Sequence, residues 1–350
     1  MFVNRIIKKN ILLVVLLLLL CLQSRAQEKK CEIYAVGFYN LENMFDTIHD
    51  HGKNDYEFLP DGTYRWGTLK YSGKLKNIAT VLNDMGRDVS PEGLAAVGVC
   101  EVENSRVLDA LVGHDVLAQL GWEYIHMEGP DRRGVDCALL YNPRLFKPIC
   151  SLLSPYSAED GDTAYKTRGF LVVHGEMGGE SLHIIVNHWP SRSAKSPVRE
   201  RAGILVRQLK DSVMRAVPGT KVLVIGDMND NPDNISMKSC LGAMREIVEV
   251  KSATELYNPW WNILRNEGRG TLKYRGKWNL YDQIVLSGNL VGKDRSTLKL
   301  YKSEIFSREY MFQHEGRYKG NTLRTHAGGV WLNGYSDHLP VIVYLVKETK

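Results

Sequence analysis

The stretch 221–230, KVLVIGDMND, constrains this chain more than any other. Residues 222–225 form a short Val, Leu and Ile run, the composition of a buried strand. Gly226 ends the run, and Asp227 and Asn229 follow two residues apart. If strand geometry persists, that spacing puts both side chains on one side of the backbone. A carboxylate and an amide then stand together at the end of a strand that lies inside a core. Hard oxygen donors of this kind suit a cation such as Mg²⁺ and the phosphoryl oxygens it holds. A polar turn after a buried strand uses the same residue types, so the weight falls on whether the chain repeats the pattern.

It does. Residues 33–39 read as a strand followed by Asn40 and Glu42, and 94–99 as one followed by Glu101. Residues 182–186 lead into Asn187 and His188, 280–286 hold Asp282, and Asp337 and His338 precede a last apolar strand at 339–346. Shorter strands are expected at 124–126, 135–141, 170–174 and 298–302, with Gly178-Gly179 as a turn between 170–174 and 182–186. Helical periodicity falls at 69–85, with Leu75, Ile78, Ala79 and Leu82 on one face. It recurs at 107–120, interrupted at Gly113, and at 198–217, where Ala202, Leu205, Val206 and Leu209 form a buried stripe. A turn and a short helix are expected from 231 to 237, whereas 46–66, 260–277 and 309–334 read as irregular, the last two rich in aromatic residues or cations. Strands outnumber helices and helices fall between several of them, which argues a layered α/β or α+β domain. No repeat or linker divides residues 27–350, enough chain for a single domain with a sizeable core.

Residues 1–26 have the form of a signal peptide: Arg5, Lys8 and Lys9, then an apolar run at 11–22, then Ser24-Arg25-Ala26. The apolar run is short for a spanning helix. Cleavage near Ala26 gives an exported protein, periplasmic or extracellular. Lipoprotein anchoring at Cys21 is the lesser reading, because Leu19 and Leu20 stand where small residues are preferred. Removal of Arg5, Lys8, Lys9 and Arg25 lowers the formal net charge from +5 to +1. A nucleic acid partner therefore requires a local basic groove rather than a basic surface. Cys31, Cys100, Cys137, Cys150 and Cys240 remain, an odd number without a CxxC motif; Cys100 and Cys137 read as buried thiols, and one disulfide is compatible with export.

In their joint order these strand ends resemble the endonuclease/exonuclease/phosphatase superfamily, the deoxyribonuclease I-like group. Asn40 and Glu42 resemble its first metal-site motif, Glu101 its main metal-ligating glutamate, and Asn187-His188 its catalytic histidine motif. Gly226-Asp227-Met228-Asn229 is similar to its GDxN motif, residues 281–284 to its DxI strand, and residues 336–341 to its terminal SDHxPV motif. The resemblance covers residues 33–346 and implies a four-layer αββα sandwich and divalent-metal-dependent hydrolysis of a phosphoester by in-line water attack.

It also implies roles. Glu101, Glu42 and Asp337 are the expected Mg²⁺ ligands, with Mn²⁺ or Ca²⁺ as substitutes. His188, Asp227, Asn229, Asp282 and His338 are the expected catalytic group, with Asp227 on the attacking water and Asp282 orienting His338. Asp136 is a candidate partner of His188. Asn40 is expected to hold ligands or phosphoryl oxygens. Arg133, Arg168 and Arg192 suit phosphate oxygens, which a guanidinium meets in pairs. Trp189, Trp260, Tyr274, Trp278 and Trp331 are candidates to wall a groove, with Trp278 as a substrate contact, or else to pack in the core, since aromatic spacing fits either. The leading expectation is a monomeric nuclease acting on DNA or RNA, with no stable protein partner and no membrane span in residues 27–350. The alternatives are a small-molecule or lipid phosphoesterase, acting on sugar phosphates, inositol phosphates or phospholipid headgroups, and a non-catalytic binding protein on the same scaffold.

Overall fold

The structure is a computed structural model and describes residues 30–157 and 167–349. The leader expected at 1–26, Cys21 included, lies outside these residues. In chain order the elements are β1 (Cys31–Met44), α1 (Thr68–Asp84), β2 (Leu94–Val102), α2 (Ser105–Val112), β3 (Glu123–His126), β4 (Asp136–Tyr141), β5 (Phe146–Ser154), β6 (Phe170–Met177) and β7 (Glu180–His188). There follow α3 (Ser196–Ala216), β8 (Lys221–Asp227), β9 (Ala243–Met244), β10 (Leu256–Tyr257), α4 (Trp260–Arg265), a hairpin of β11 (Leu272–Tyr274) and β12 (Lys277–Asn279), and β13 (Asp282–Ser287). The chain ends with β14 (Lys299–Ile305), a small pair β15 (His326–Ala327) and β16 (Val330–Trp331), and β17 (Val341–Glu348).

Two sheets carry the core. The first runs in the spatial order β14-β17-β1-β2-β4-β3, the second β5-β6-β7-β8-β13-β10-β9. Each centres on one parallel pair joined through a helix, β1/β2 and β7/β8. Antiparallel strands flank these pairs, β17 and β4 in the first sheet, β6 and β13 in the second. This is the four-layer αββα sandwich. Residues 222–225 show how alternation builds it. Val222 and Val224 pack with Ala202 and Val206 of α3, while Leu223 and Ile225 join the core shared with the first sheet. The sheets approach closely at Gly98: a Cβ there would sit 2.6 Å from Ile225 Cδ1 and 3.0 Å from Val186 Cγ1.

The topology also fixes where the polar strand ends gather. In a parallel pair both C-terminal ends lie at one edge, and an antiparallel neighbour starts there. Asn40 and Glu101 therefore share an edge with the start of β17. His188 and Asp227, paired in register, share an edge with Asp282, which opposes Asp227 directly.

Three stretches differ from the sequence reading. β5 was not expected; it is a largely exposed edge strand containing Pro148, so it lacks the apolar run of a buried one. Residues 260–277 are not a loop throughout, since α4 and β11 lie within them. Residues 309–334 contain a helical turn and the β15–β16 pair. Cys100, Cys137, Cys150 and Cys240 are free thiols, with Cys100 and Cys137 buried and paired in register across β2 and β4.

Candidate active site

Glu101 enters the site through a distorted strand end. The β2–β4 register shifts between Cys100 and Val102, and Glu101 itself has φ 60°. A left-handed glutamate costs roughly 1 kcal/mol, and a bulge re-aims the side chain it carries. Glu101 Oε2 accepts the Asn43 amide at 2.9 Å, and Oε1 faces Asn40 Nδ2 at 3.4 Å and His188 Nε2 at 3.8 Å. Asp227 comes from the other sheet and meets the same two groups, with Oδ2 3.1 Å from Asn40 Nδ2 and 3.8 Å from His188 Nε2. The two carboxylates thus converge on one spot. Asp227 Oδ1 accepts the amide of Asn229, which has φ 49°, and the Asn229 side chain donates to the Trp189 carbonyl at 3.1 Å. Gly226 is required behind them: a Cβ there would lie 2.4 Å from the Asn187 carbonyl oxygen on the adjacent strand.

His338 bridges the sheets. Its Nδ1 lies 2.7 Å from Asp282 Oδ2, and its Nε2 lies 3.9 Å from both Asp227 Oδ2 and Asp337 Oδ1. Ser336 holds this segment by donating to the Asn40 carbonyl while accepting the His338 amide. Burial is the largest influence on His338 and pulls its pKa down, but Asp282 and Asp227 outweigh it and hold the imidazole well above its ordinary value. Burial also raises the Asp227 carboxyl, opposed by His338 and reinforced by Asp282. Burial, then Arg168 and Arg133, pushes His188 well below its ordinary value. The two imidazoles are therefore biased in opposite directions. His188 Nδ1 is buried with no hydrogen-bond partner among the described residues. Asp136 does not supply one: its Oδ1 accepts the Gly129 amide and its Oδ2 lies 3.4 Å from His126 Nε2.

Glu101, His188, Asp227, Asn229 and His338 line one polar cavity of about 330 Å³ together with Arg133 and Arg168. Arg168 is buried and tied to Asp131 at 2.8 Å. Asn40 is buried and directs its amide at the two carboxylates.

The structure does not gather the remaining candidates there. Glu42 sits in a separate cluster, where Oε1 accepts Arg324 at 2.9 Å and Oε2 accepts the Thr325 amide at 2.7 Å. Its pKa is raised by burial and by Asp337, against Lys74 and Arg324. Asp337 lies between the two clusters, 3.0 Å from Arg324 Nη2. Arg192 pairs with Asp230 at 3.1 Å and leans on the Tyr281 ring. Trp278 stands on the β11–β12 hairpin under the Lys273 ammonium rather than in this cavity. Trp189 and Trp260 are fully buried and bonded to Asn187 Oδ1 and the Ile284 carbonyl, so they are core rather than groove wall. Arg324 and buried Lys74 were not legible in the sequence. Lys74 bonds Thr325 Oγ1 and the Tyr335 carbonyl across some 250 residues, and no local pattern announces such a contact.

Asp227, Asp282 and His338 each bring one ligand atom within 4.8 Å of the others. Asp282 and His338 are already bonded to each other, and a cation between them would break that buried bond. The convergent oxygens of Glu101 and Asp227, with Glu101 partly open to the cavity, fit a hard cation better, since Mg²⁺ keeps several waters and needs few carboxylates.

Residues 35–347 match the model of the Endonuclease/Exonuclease/phosphatase family, and the chain belongs to that family. Its enzymes use divalent metals and cleave phosphoester bonds. No curated protein matches the chain. Among solved structures, the mannosyl-6-phosphatase of Bacteroides thetaiotaomicron is 16% identical with TM-score 0.56, covering 89% of this chain and 99% of its own. ANGEL2, a 2',3'-cyclic phosphatase, is 13% identical with TM-score 0.58 over 93% of this chain and 100% of its own. D. rerio TDP2 complexed with a single-strand DNA product is 12% identical with TM-score 0.54 over 89% and 98%. At these identities the likeness is one of fold.

Proposed function

We propose that this chain is an exported, divalent-metal-dependent phosphodiesterase that cleaves nucleic acid. The observation that carries the chemistry is the meeting of Asp227, His188 and His338 in one cavity that also holds Glu101 and two arginines. Arg133 and Arg168 suit the non-bridging oxygens of the scissile phosphate. Asp227, made more basic by burial, takes a proton from a water placed in line with the leaving oxygen, and Asn229 holds that carboxylate in place through its amide. His338, kept charged by Asp282, stabilises the negative charge that gathers on the phosphoryl oxygens. Neutral His188 donates a hydrogen bond to the same oxygens. The new P–O bond forms to the water oxygen, the opposite P–O bond breaks, and the departing oxygen takes its proton from solvent. Glu101 would hold a divalent cation beside Asp227, and the ion would supply positive charge to the phosphoryl group. Glu42, bound to Arg324, is assigned to shaping the site through Arg324 and Asp337 rather than to the metal.

A small-phosphoester reading has its own support: the cavity is compact and polar, and a structural relative is a mannosyl-6-phosphatase. The test is a Mg²⁺-dependent screen over plasmid DNA, single-stranded DNA, RNA, sugar phosphates, inositol phosphates and phospholipids, run beside His338→Ala. Cleavage of a nucleic acid by the parent and its loss in the variant is the expected result. Turnover confined to sugar, inositol or lipid phosphates would overturn the nucleic acid reading.

A further inference from the structure

Beside the catalytic cavity lies a larger pocket of about 470 Å³, built from the β11–β12 hairpin and the loop at 313–328. It adjoins the site at three points. Asp337 lines it, Arg324 lines it, and Leu272 on its wall pairs through a backbone bridge with His338. The hairpin is thus pinned directly to the histidine that faces the reacting phosphate.

Its charge departs from that of the rest of the protein. Residues 271–281 carry Lys273, Arg275 and Lys277 and no acid, and residues 311–334 carry Arg317, Lys319 and Arg324 against the single acid Glu315. Of these the pocket wall itself carries Lys273, Arg275 and Arg324 against Asp337, and with the leader removed the chain from residue 27 is close to neutral, so this cluster is a local basic patch of the kind a polyanion requires. Most arginines of the fold are committed to carboxylates, Arg106, Arg192, Arg199 and Arg265 among them. Lys273, Arg275, Arg317 and Lys319 make no ion pair among the described residues. Arg275 lies 5.2 Å from the Tyr274 ring centre and Arg317 5.7 Å from that of Tyr318, while Lys273 lies 5.5 Å from the Trp278 ring centre and donates to the Gly320 carbonyl at 3.4 Å. Those two tyrosines are 58% and 50% exposed. Exposed rings flanked by uncommitted cations form a surface on which a base stacks while its phosphate is neutralised.

We propose that this pocket is a second subsite, taking the phosphate next to the scissile one and its attached base, so that the preferred substrate is a strand bearing at least two phosphates. Lys273 and Arg275 meet the second phosphate, and Tyr274 and Tyr318 offer the stacking faces. This rests on the phosphodiesterase reading above and names what sets its specificity. A substrate with one phosphate leaves the pocket unused. Arg275 has φ 48° and opens the tight turn with Gly276, so its charge is best removed as Arg275→Asn, because Asn tolerates that backbone.

The test uses the full exported chain with Lys273→Gln/Arg275→Asn, and separately Tyr274→Ala. Binding of a fluorescein-labelled single-stranded oligonucleotide is measured by anisotropy in EDTA, so that no cleavage intervenes, and hydrolysis of bis(p-nitrophenyl) phosphate is measured with Mg²⁺. The double variant is expected to weaken oligonucleotide binding about 10-fold or more and to flatten its log–log salt dependence by roughly 0.7 per lost phosphate contact. Hydrolysis of the one-phosphate diester should be unchanged, which also reports that the variant is folded. Tyr274→Ala should weaken binding with no change in salt slope. Parent-like oligonucleotide affinity and salt slope in the double variant would overturn the subsite while leaving the nuclease reading intact. A parent that neither binds nor cleaves any oligonucleotide, yet hydrolyses the small diester, would overturn the nuclease reading and the subsite with it.

Discussion

Glu101 and His338 divide the work of the proposed site, and their substitution should separate accordingly. Glu101→Gln keeps size and removes charge at a strained strand end, next to an amide it accepts at 2.9 Å. Mg²⁺ affinity measured by calorimetry should fall by an order of magnitude or more, while the thermal midpoint of the metal-free protein stays near that of the parent. Unchanged affinity rejects Glu101 as the principal ligand. His338→Ala should do the reverse, leaving Mg²⁺ affinity near parental and lowering kcat by roughly 10²- to 10⁴-fold. Asp282→Asn weakens the same imidazole through the 2.7 Å bond, so the double variant should lose much less than the product of the two single losses. Full multiplicativity would show that Asp282 acts independently of His338. At this scale the sequence was informative where a residue terminates a buried strand, as Glu101, His188 and Asp227 do. It was silent where a residue's partner is remote, as with Lys74 and Arg324. For Trp189 and Trp260 the sequence left groove wall and core packing both open, because aromatic spacing does not decide between them; in space each ring is buried and its Nε1 is satisfied inside.

Among elements, the central strands were legible to within a few residues because burial on both faces writes a continuous apolar run. The edge strand β5 was not, since exposure removes that run, and neither was the β11–β12 hairpin, whose strands are three residues each. One element pair carries a pH-dependent load outside the site. His174 of β6 and His183 of β7 face each other in register, their rings parallel at 4.2 Å, tied through Ser181 and Thr220. Burial, with the neighbouring His174, lowers the His183 pKa from 6.5 to about 4. The unfolded chain thus binds a proton that the folded chain refuses between these values. The stabilising effect is complete above pH 6.5 and is lost as the pH falls toward 4, by on the order of 1–3 kcal/mol. His183→Gln should shrink the drop in urea-unfolding free energy between pH 7 and pH 4.5 by that amount. An identical drop in parent and variant would place the acid sensitivity elsewhere.

The whole molecule acts as a spacer between two half-sites. Asn40 and Glu101 belong to the first sheet, His188, Asp227 and Asp282 to the second, and His338 reaches from the start of β17 to Asp282 across the gap. The distance between sheets therefore sets the distances within the site. Gly98 keeps the sheets close, since even a Cβ would meet Ile225 and Val186 at 2.6 and 3.0 Å. Val at 98 adds volume to a closed interface, where overpacking costs roughly 1–3 kcal/mol, and the relief available is for β2 to move away from β7 and β8. That movement carries Glu101 away from Asp227 and His188. Gly98→Val should therefore lower both Mg²⁺ affinity and kcat/KM, even at temperatures where circular dichroism shows the variant fully folded. Adding Ile225→Ala vacates the nearest obstruction and should restore part of the affinity and the activity together. A destabilised Gly98→Val protein with parental metal affinity would show that the half-sites are positioned by their own hydrogen bonds and not by the packing of the sheets.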